Sequence, residues 1–261
     1  MSRPHWTRRD VLGHLGRLAA GVVAAPLAES CAGRPAERLA VVPAGGSTRR
    51  LMPGTHALGL GGERDGVLYV PPGGSPRRLL LMLHGAGGTG RRSLRLVMAA
   101  ADAASCAVLA PDSRGPTWDA VPGRFGPDVR FIESALAGVL PEGAGASPLA
   151  VAGFSDGATY ALALGRANGQ FFSHILAFSP GFLIPTHPAG SPGIFVSHGR
   201  SDQVLPIETC SRVLVPELRH DGYQVRYREF DGRHEVPLAV AREAMDWFAD
   251  SLGQPESPRL Q

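Results

Sequence analysis

The residues best able to do chemistry gather around one serine. Gly153-Phe154-Ser155-Asp156-Gly157 is a G-x-S-x-G motif between a strand-like run at 149–153 and a helix-like pattern at 156–167. In that setting the glycines permit a sharp, strained turn that pushes the serine hydroxyl out at the start of the helix. The plainer reading of Ser155 is a helix N-cap, a position serine favours. A serine hydroxyl is a weak nucleophile until a base takes its proton. His234, in Gly232-Arg233-His234-Glu235, follows a strand-like run at 224–230 and precedes the last helical segment, so it can be that base. Asp202, in Gly199-Arg200-Ser201-Asp202, follows the preceding strand at 193–198 and can orient the imidazole. Asp231 and Glu208 are rival acids, but Asp231-Gly232 reads as a turn.

Nucleophilic attack on a carbonyl also needs donors for the developing oxyanion. The loop His84-Gly85-Ala86-Gly87-Gly88 follows the apolar run 79–83, and its Ala86 N–H can act together with the N–H of Asp156. Each such donor lowers the barrier by about 3 kcal/mol. His84 and His198 stand at strand ends near this group and read as packed supports of their loops. Trp118 and Phe125, together with Phe182 and Leu183 in the Pro-rich loop 180–192, are the candidates to line a substrate pocket. Their plain alternative is the packing of long loops.

One motif competes. Gly85-Ala86-Gly87-Gly88-Thr89-Gly90 also spells G-x-G-x-x-G, and Asp112 stands near the end of the next strand. That is a dinucleotide-binding pattern, and it supports the alternative of a dinucleotide-binding or non-catalytic α/β protein. It leaves Ser155, Asp202 and His234 without a role. No metal-binding spacing occurs: His234-Glu235 is not followed by a second His in H-E-x-x-H order.

These loops need a frame. Strand-like runs at 55–60, 66–70, 79–83, 106–110, 149–153, 174–178, 193–198 and 224–230 interleave with helical patterns at 91–104, 128–140, 156–167, 207–221 and 236–251. From residue 79 onward strand and helix alternate, the pattern of a mainly parallel sheet with helices on both faces. Leu79-Leu80-Leu81-Met82-Leu83 has no polar alternation, as a strand buried on both sides requires. The first two strands follow each other closely and fit an antiparallel hairpin at one edge.

Taken together, His84-Gly-Ala-Gly-Gly, Gly-Phe-Ser155-Asp-Gly-Ala, His198-Gly-Arg-Ser-Asp202 and Gly-Arg-His234 resemble the phospholipase/carboxylesterase branch of the α/β-hydrolases. Acyl-protein thioesterase-like enzymes belong there, and secreted polyhydroxybutyrate depolymerase-like and feruloyl-esterase-like proteins are similar. The segment Pro111–Asp119 and the chain order Ser, Asp, His fit that resemblance. It implies an α/β-hydrolase fold with an eight-stranded sheet over residues 54–252 and no large lid domain. It further implies a cofactor-free serine esterase acting on a small-molecule ester.

Composition narrows the classes further. The chain has 261 residues and a net charge of +3, and every one of its 26 basic residues is Arg. Without Lys there is no Walker phosphate loop and no Schiff-base lysine. Residues 1–30 resemble an export signal: Thr7-Arg8-Arg9-Asp10-Val11-Leu12 is similar to a twin-arginine motif, and an 11-residue apolar stretch follows at 18–28. That stretch is too short to span a bilayer, which takes about 20 residues. Cys31 is a candidate lipid anchor and the one expected route to a membrane. Beyond residue 30 the chain keeps 22 basic and 21 acidic residues, so no polyanionic partner such as nucleic acid is expected. Residues 31–53 read as a linker and 253–261 as a flexible tail. Cys106 reads as a small core residue.

Overall fold

A computed structural model describes residues 35–42, 52–74, 76, 78–140 and 148–250. The export segment, Cys31 and the tail lie outside the described residues. Eight strands form one sheet: β1 (Gly54–Ala57), β2 (Gly66–Val70), β3 (Arg78–Leu83), β4 (Cys106–Pro111), β5 (Leu149–Phe154), β6 (His174–Phe178), β7 (Gly193–Gly199) and β8 (Val225–Phe230). Their spatial order is β1-β2-β4-β3-β5-β6-β7-β8. The β1–β2 and β2–β4 pairings are antiparallel, and every pairing from β4 to β8 is parallel. The sheet and its antiparallel edge are therefore those expected from the strand–helix alternation.

Alternate residues of each strand feed two cores, as the pleat dictates. Leu81, Leu83, Val151, Ala177 and Val196 face α2 (Pro127–Ala137), α3 (Asp156–Ala167) and α4 (Ser211–His220). Leu80, Met82, Val108, Ala152 and Phe195 face α1 (Gly90–Ala103) and α5 (Leu238–Asp250). The amphipathic α1 buries Leu94, Val97, Ala100 and Ala101 along one stripe, and Thr89 caps it by accepting from the Arg92 N–H. In contrast, α3 is buried along its whole length from Gly157 to Ala167. An apolar helix of this kind sits at the centre of a fold, and it is the helix that carries the G-x-S-x-G serine at its head.

Two expectations change. The segment expected to be helical from 207 becomes regular only at Ser211. The stretch 35–42, expected to be part of a linker, is docked on the body. Arg38 donates to the Ala167 carbonyl at 2.5 Å and to the His187 carbonyl at 3.1 Å. Leu39 N–H donates to Asn168 Oδ1 at 2.8 Å, while Asn168 Nδ2 donates to the carbonyls of Glu37 and Leu164, each at 2.8 Å. Glu37, itself buried, meets His187 Nδ1 at 2.7 Å. Composition alone hid this, because residues 31–53 taken together are rich in Pro, Gly and Arg, while the strap within them is held by contacts to residues more than a hundred positions away.

Asn168→Ala should strand the Leu39 N–H and the Glu37 carbonyl. A loss of about 1–3 kcal/mol is expected in denaturant unfolding, with faster proteolysis within residues 35–42. An unchanged midpoint would mean the strap adds nothing to stability.

Candidate active site

Ser155 sits between β5 and α3 with φ 58° and ψ −124°, a backbone conformation that costs a non-glycine residue about 1–3 kcal/mol. The turn is held from two sides. Ser155 N–H donates to the Phe178 carbonyl of β6 at 3.0 Å. A Cβ on Gly153 would lie 2.0 Å from the Gly157 carbonyl oxygen, and one on Gly157 would lie 2.3 Å from that of Leu83. Only glycine fits at either place, and this close approach brings the head of α3 onto the end of β3. The loop after β3 therefore lies directly over the serine: a Cβ on Gly85 would stand 3.2 Å from the Ser155 Cβ.

That loop is braced by polar contacts. His84 is buried; its Nδ1–H donates to the Gly85 carbonyl at 2.8 Å and its Nε2 accepts from the Ser113 N–H at 3.0 Å. Arg64, from the β1–β2 connection, also reaches His84 Nε2 at 3.3 Å and donates to the Gly88 carbonyl at 3.0 Å and to the Ser113 carbonyl. Two donors on Nε2 leave no room for a proton there, so the ring stays neutral. Burial, with the Arg64 charge in support, holds its pKa below the usual imidazole range. Gly87 N–H donates to the Pro116 carbonyl at 2.7 Å. Among the described residues neither the Ala86 N–H nor the Asp156 N–H has an acceptor. The Asp156 side chain reaches the segment after β4, where its Oδ2 accepts from the Thr117 hydroxyl at 2.7 Å.

On the other side of Ser155, His234 Nδ1–H donates to Asp202 Oδ2 at 2.6 Å. The His234 ring packs on Phe154, the residue before Ser155, with centroids 4.7 Å apart. The Asp202 side chain is fully buried, and its Oδ1 accepts from the N–H groups of Val204 and Leu205 at 2.9 Å each. The rival acids lie elsewhere. Asp231 is exposed and paired with Arg200 at 2.6 Å, and exposed Glu208 meets Arg212 at 3.3 Å. The structure thus joins Asp202 to His234 and sets the imidazole beside the serine turn. A Ser155–His234 hydrogen bond is not among the contacts of the described residues. Such nucleophile–base bonds often close only when substrate binds.

The four pocket candidates separate into two pairs. Trp118 and Phe125 are buried in an aromatic stack with Tyr160, centroids 5.3 Å and 5.2 Å from it, and so do not line an open cleft. Trp118 Nε1–H donates to the His84 carbonyl at 2.8 Å, which makes it a support of the loop after β3. Phe182 is 48% exposed, and Leu183 packs partly against the core. Gly181 N–H donates to Thr159 Oγ1 at 2.9 Å and faces Leu205, which brings this loop beside the Asp202 turn. Val204, 65% exposed in that turn, is an apolar neighbour of the site that spacing did not suggest. Arg64 was also missed: it reaches the His84 loop from the β1–β2 connection, and no local pattern marks it.

The dinucleotide pattern is consumed by the fold. Asp112 Oδ1 accepts from the Gly90 N–H at 2.6 Å, so the acid of that fingerprint ties the head of α1. Among the described residues no group of three or more His, Cys, Asp and Glu is arranged to hold a metal ion. Cys106 and Cys210 are buried, and burial pushes the Cys106 thiol up to about 12.

No protein-family model and no curated protein matches the chain by sequence. Solved structures do match. Esterase PE8 is 22% identical, with 72% of this chain and 98% of that one covered and a TM-score of 0.56. TT1662 from Thermus thermophilus is 21% identical over 78% of this chain and all of its own, with a TM-score of 0.56. The S-formylglutathione hydrolase FrmB from Staphylococcus aureus is 13% identical over 71% and 92%, with a TM-score of 0.59. At these identities the likeness is one of fold, and the fold is that of the α/β-hydrolases.

Burial also sets a pH limit on stability. It holds His84 and His198 below the usual imidazole range and His174 at about 4. The unfolded chain takes up protons at these rings below about pH 6.5, while the native chain does not. Stability should therefore be full above that value and fall as pH drops toward 4. Denaturant melts across this range should show the fall, and His174→Phe should make it shallower. A flat profile in the unaltered protein would contradict the buried neutral rings.

Proposed function

We propose that this protein is a serine hydrolase that cleaves carboxylic esters of small molecules through an acyl-enzyme intermediate. The reading rests on one observation above all: a buried Asp202 bonded to His234, with that imidazole packed against the strained turn that presents Ser155. Esterase PE8 and the hydrolase FrmB, similar in fold, are enzymes of this general kind by name.

In this reading His234 Nε2 takes the Ser155 proton as Oγ attacks the ester carbonyl. Asp202 holds the Nδ1–H tautomer and stabilises the imidazolium that forms. The Ala86 and Asp156 N–H groups receive the oxyanion, each contributing about 3 kcal/mol to the transition state. His234 then returns the proton to the leaving alkoxide, and the alcohol departs. Water repeats the sequence on the acyl-serine: His234 takes its proton, the tetrahedral intermediate collapses as His234 gives that proton to the Ser155 oxygen, and the carboxylic acid leaves. No cofactor enters any step. Phe182 and Leu183, next to the Asp202 turn, are the side chains offered to the acyl or alkyl group. Asp112 is engaged with the Gly90 N–H and the Gly88 carbonyl with Arg64, which speaks against the dinucleotide alternative.

Residues 1–30 serve in this proposal as an export address. Cell fractionation should then find a shortened chain outside the cytoplasm, and a full-length cytoplasmic chain would refute it. Hydrolysis of p-nitrophenyl esters should fall about 10⁴–10⁶-fold in Ser155→Ala and His234→Ala, and about 10⁴-fold in Asp202→Asn. Activity retained in Asp202→Asn would move the orienting role to another carboxylate. Activity retained in Ser155→Ala would sink the mechanism.

A further inference from the structure

His198 is fully buried beside Asp202 and approaches the same carboxylate oxygen as His234. Its Nε2 lies 2.8 Å from the Leu205 carbonyl and 3.2 Å from Asp202 Oδ2. Its Nδ1 lies 2.6 Å from Oγ of Ser211, which is itself buried at the start of α4. Both neighbours of Nε2 can only accept, so that nitrogen carries the proton. The Ser211 hydroxyl then donates to Nδ1. Burial favours the neutral ring.

We propose that His198 is a positioning residue: a buried neutral imidazole, its tautomer set by Ser211, that clamps the Asp202 turn and fixes which carboxylate oxygen faces His234. The clamp closes at both ends of the turn. Leu205 gives its N–H to Asp202 Oδ1, and its carbonyl receives the His198 Nε2–H. Asp202 Oδ1 is thereby committed to the Val204 and Leu205 N–H groups, and Oδ2 accepts from the His234 Nδ1–H with His198 Nε2 3.2 Å away. No Arg is bonded to Asp202 among the described residues, so the buried charge is held by neutral donors and His234. Without the second imidazole the 202–205 turn loses its tie to the body, and Oδ2 loses the polar N–H that stands 3.2 Å from it. The role in catalysis rests on the serine-hydrolase reading; the tautomer and the clamp do not.

The test combines kinetics with the low-field proton resonance of the His234 Nδ1–H, assigned by its loss in Asp202→Asn. In the wild type, ¹⁵N-labelled imidazoles should show His198 as the Nε2–H tautomer. His198→Phe should lower kcat about 10–100-fold, the size typical of groups that orient a functional ligand from behind, with KM nearly unchanged and the resonance shifted. His198→Gln, whose amide N–H can take the place of Nε2–H, should restore most of both. Should His198→Phe not fold, Ser211→Ala carries the test: the same direction of change, smaller in size. Wild-type kcat and resonance in the folded variant would overturn the proposal. So would an Nδ1–H tautomer, or a loss of kcat with an unmoved resonance and no rescue by Gln. A wild type that hydrolyses no ester would instead overturn the serine-hydrolase reading, while the tautomer and the resonance would still report on the clamp.

Discussion

The site is organised by a backbone collision that only glycine avoids. Gly157 lies so close to the Leu83 carbonyl, and Gly153 to the Gly157 carbonyl, that a single added carbon would force the strands apart. The contact joins the head of α3 to the ends of β3 and β5, and the Ser155–Phe178 bond adds β6. Three strand ends thus converge on one residue held in a strained conformation. The long apolar helix α3, buried on all sides, anchors the strain in the core. Such strain is stable only where its surroundings over-determine it, and here the surroundings are the centre of the sheet.

Around that point the polar architecture follows a single rule. Charge is confined and flanked by neutral donors. His84 braces the loop after β3 and His198 the Asp202 turn, each buried and each with its tautomer set by named partners. The first holds a loop that lies over the serine; the second holds the turn whose carboxylate meets His234. The chain contains no Lys, and the nearest cationic support, Arg64, acts through backbone carbonyls and His84. One imidazole, that of His234, remains partly exposed beside Ser155.

What could be read from the sequence follows from the range of the interactions. The strand–helix alternation, the elbow and the order Ser155, Asp202, His234 are local patterns repeated at strand ends, and a parallel sheet gathers strand ends at one edge. Choosing Asp202 over Asp231 was open to the same logic, because Asp231 sits in a Gly-containing turn. The remainder was out of reach. Arg64 meets Ser113 across 49 positions, and Arg38 meets Ala167 across 129. Trp118 looked like a pocket wall because an aromatic in a long loop usually lacks a partner; here its indole N–H is spent on the His84 carbonyl. The 35–42 strap likewise has the composition of a linker but the contacts of a structural element.

In the proposed mechanism Ser155 is a nucleophile activated at this turn. Labelling of the folded protein with a fluorophosphonate, followed by peptide mass mapping, tests this. One adduct is expected, on Ser155, that is absent after heat denaturation and in His234→Ala falls to a small fraction of the wild-type rate. No adduct in the folded wild type, or an adduct on another residue, would contradict it.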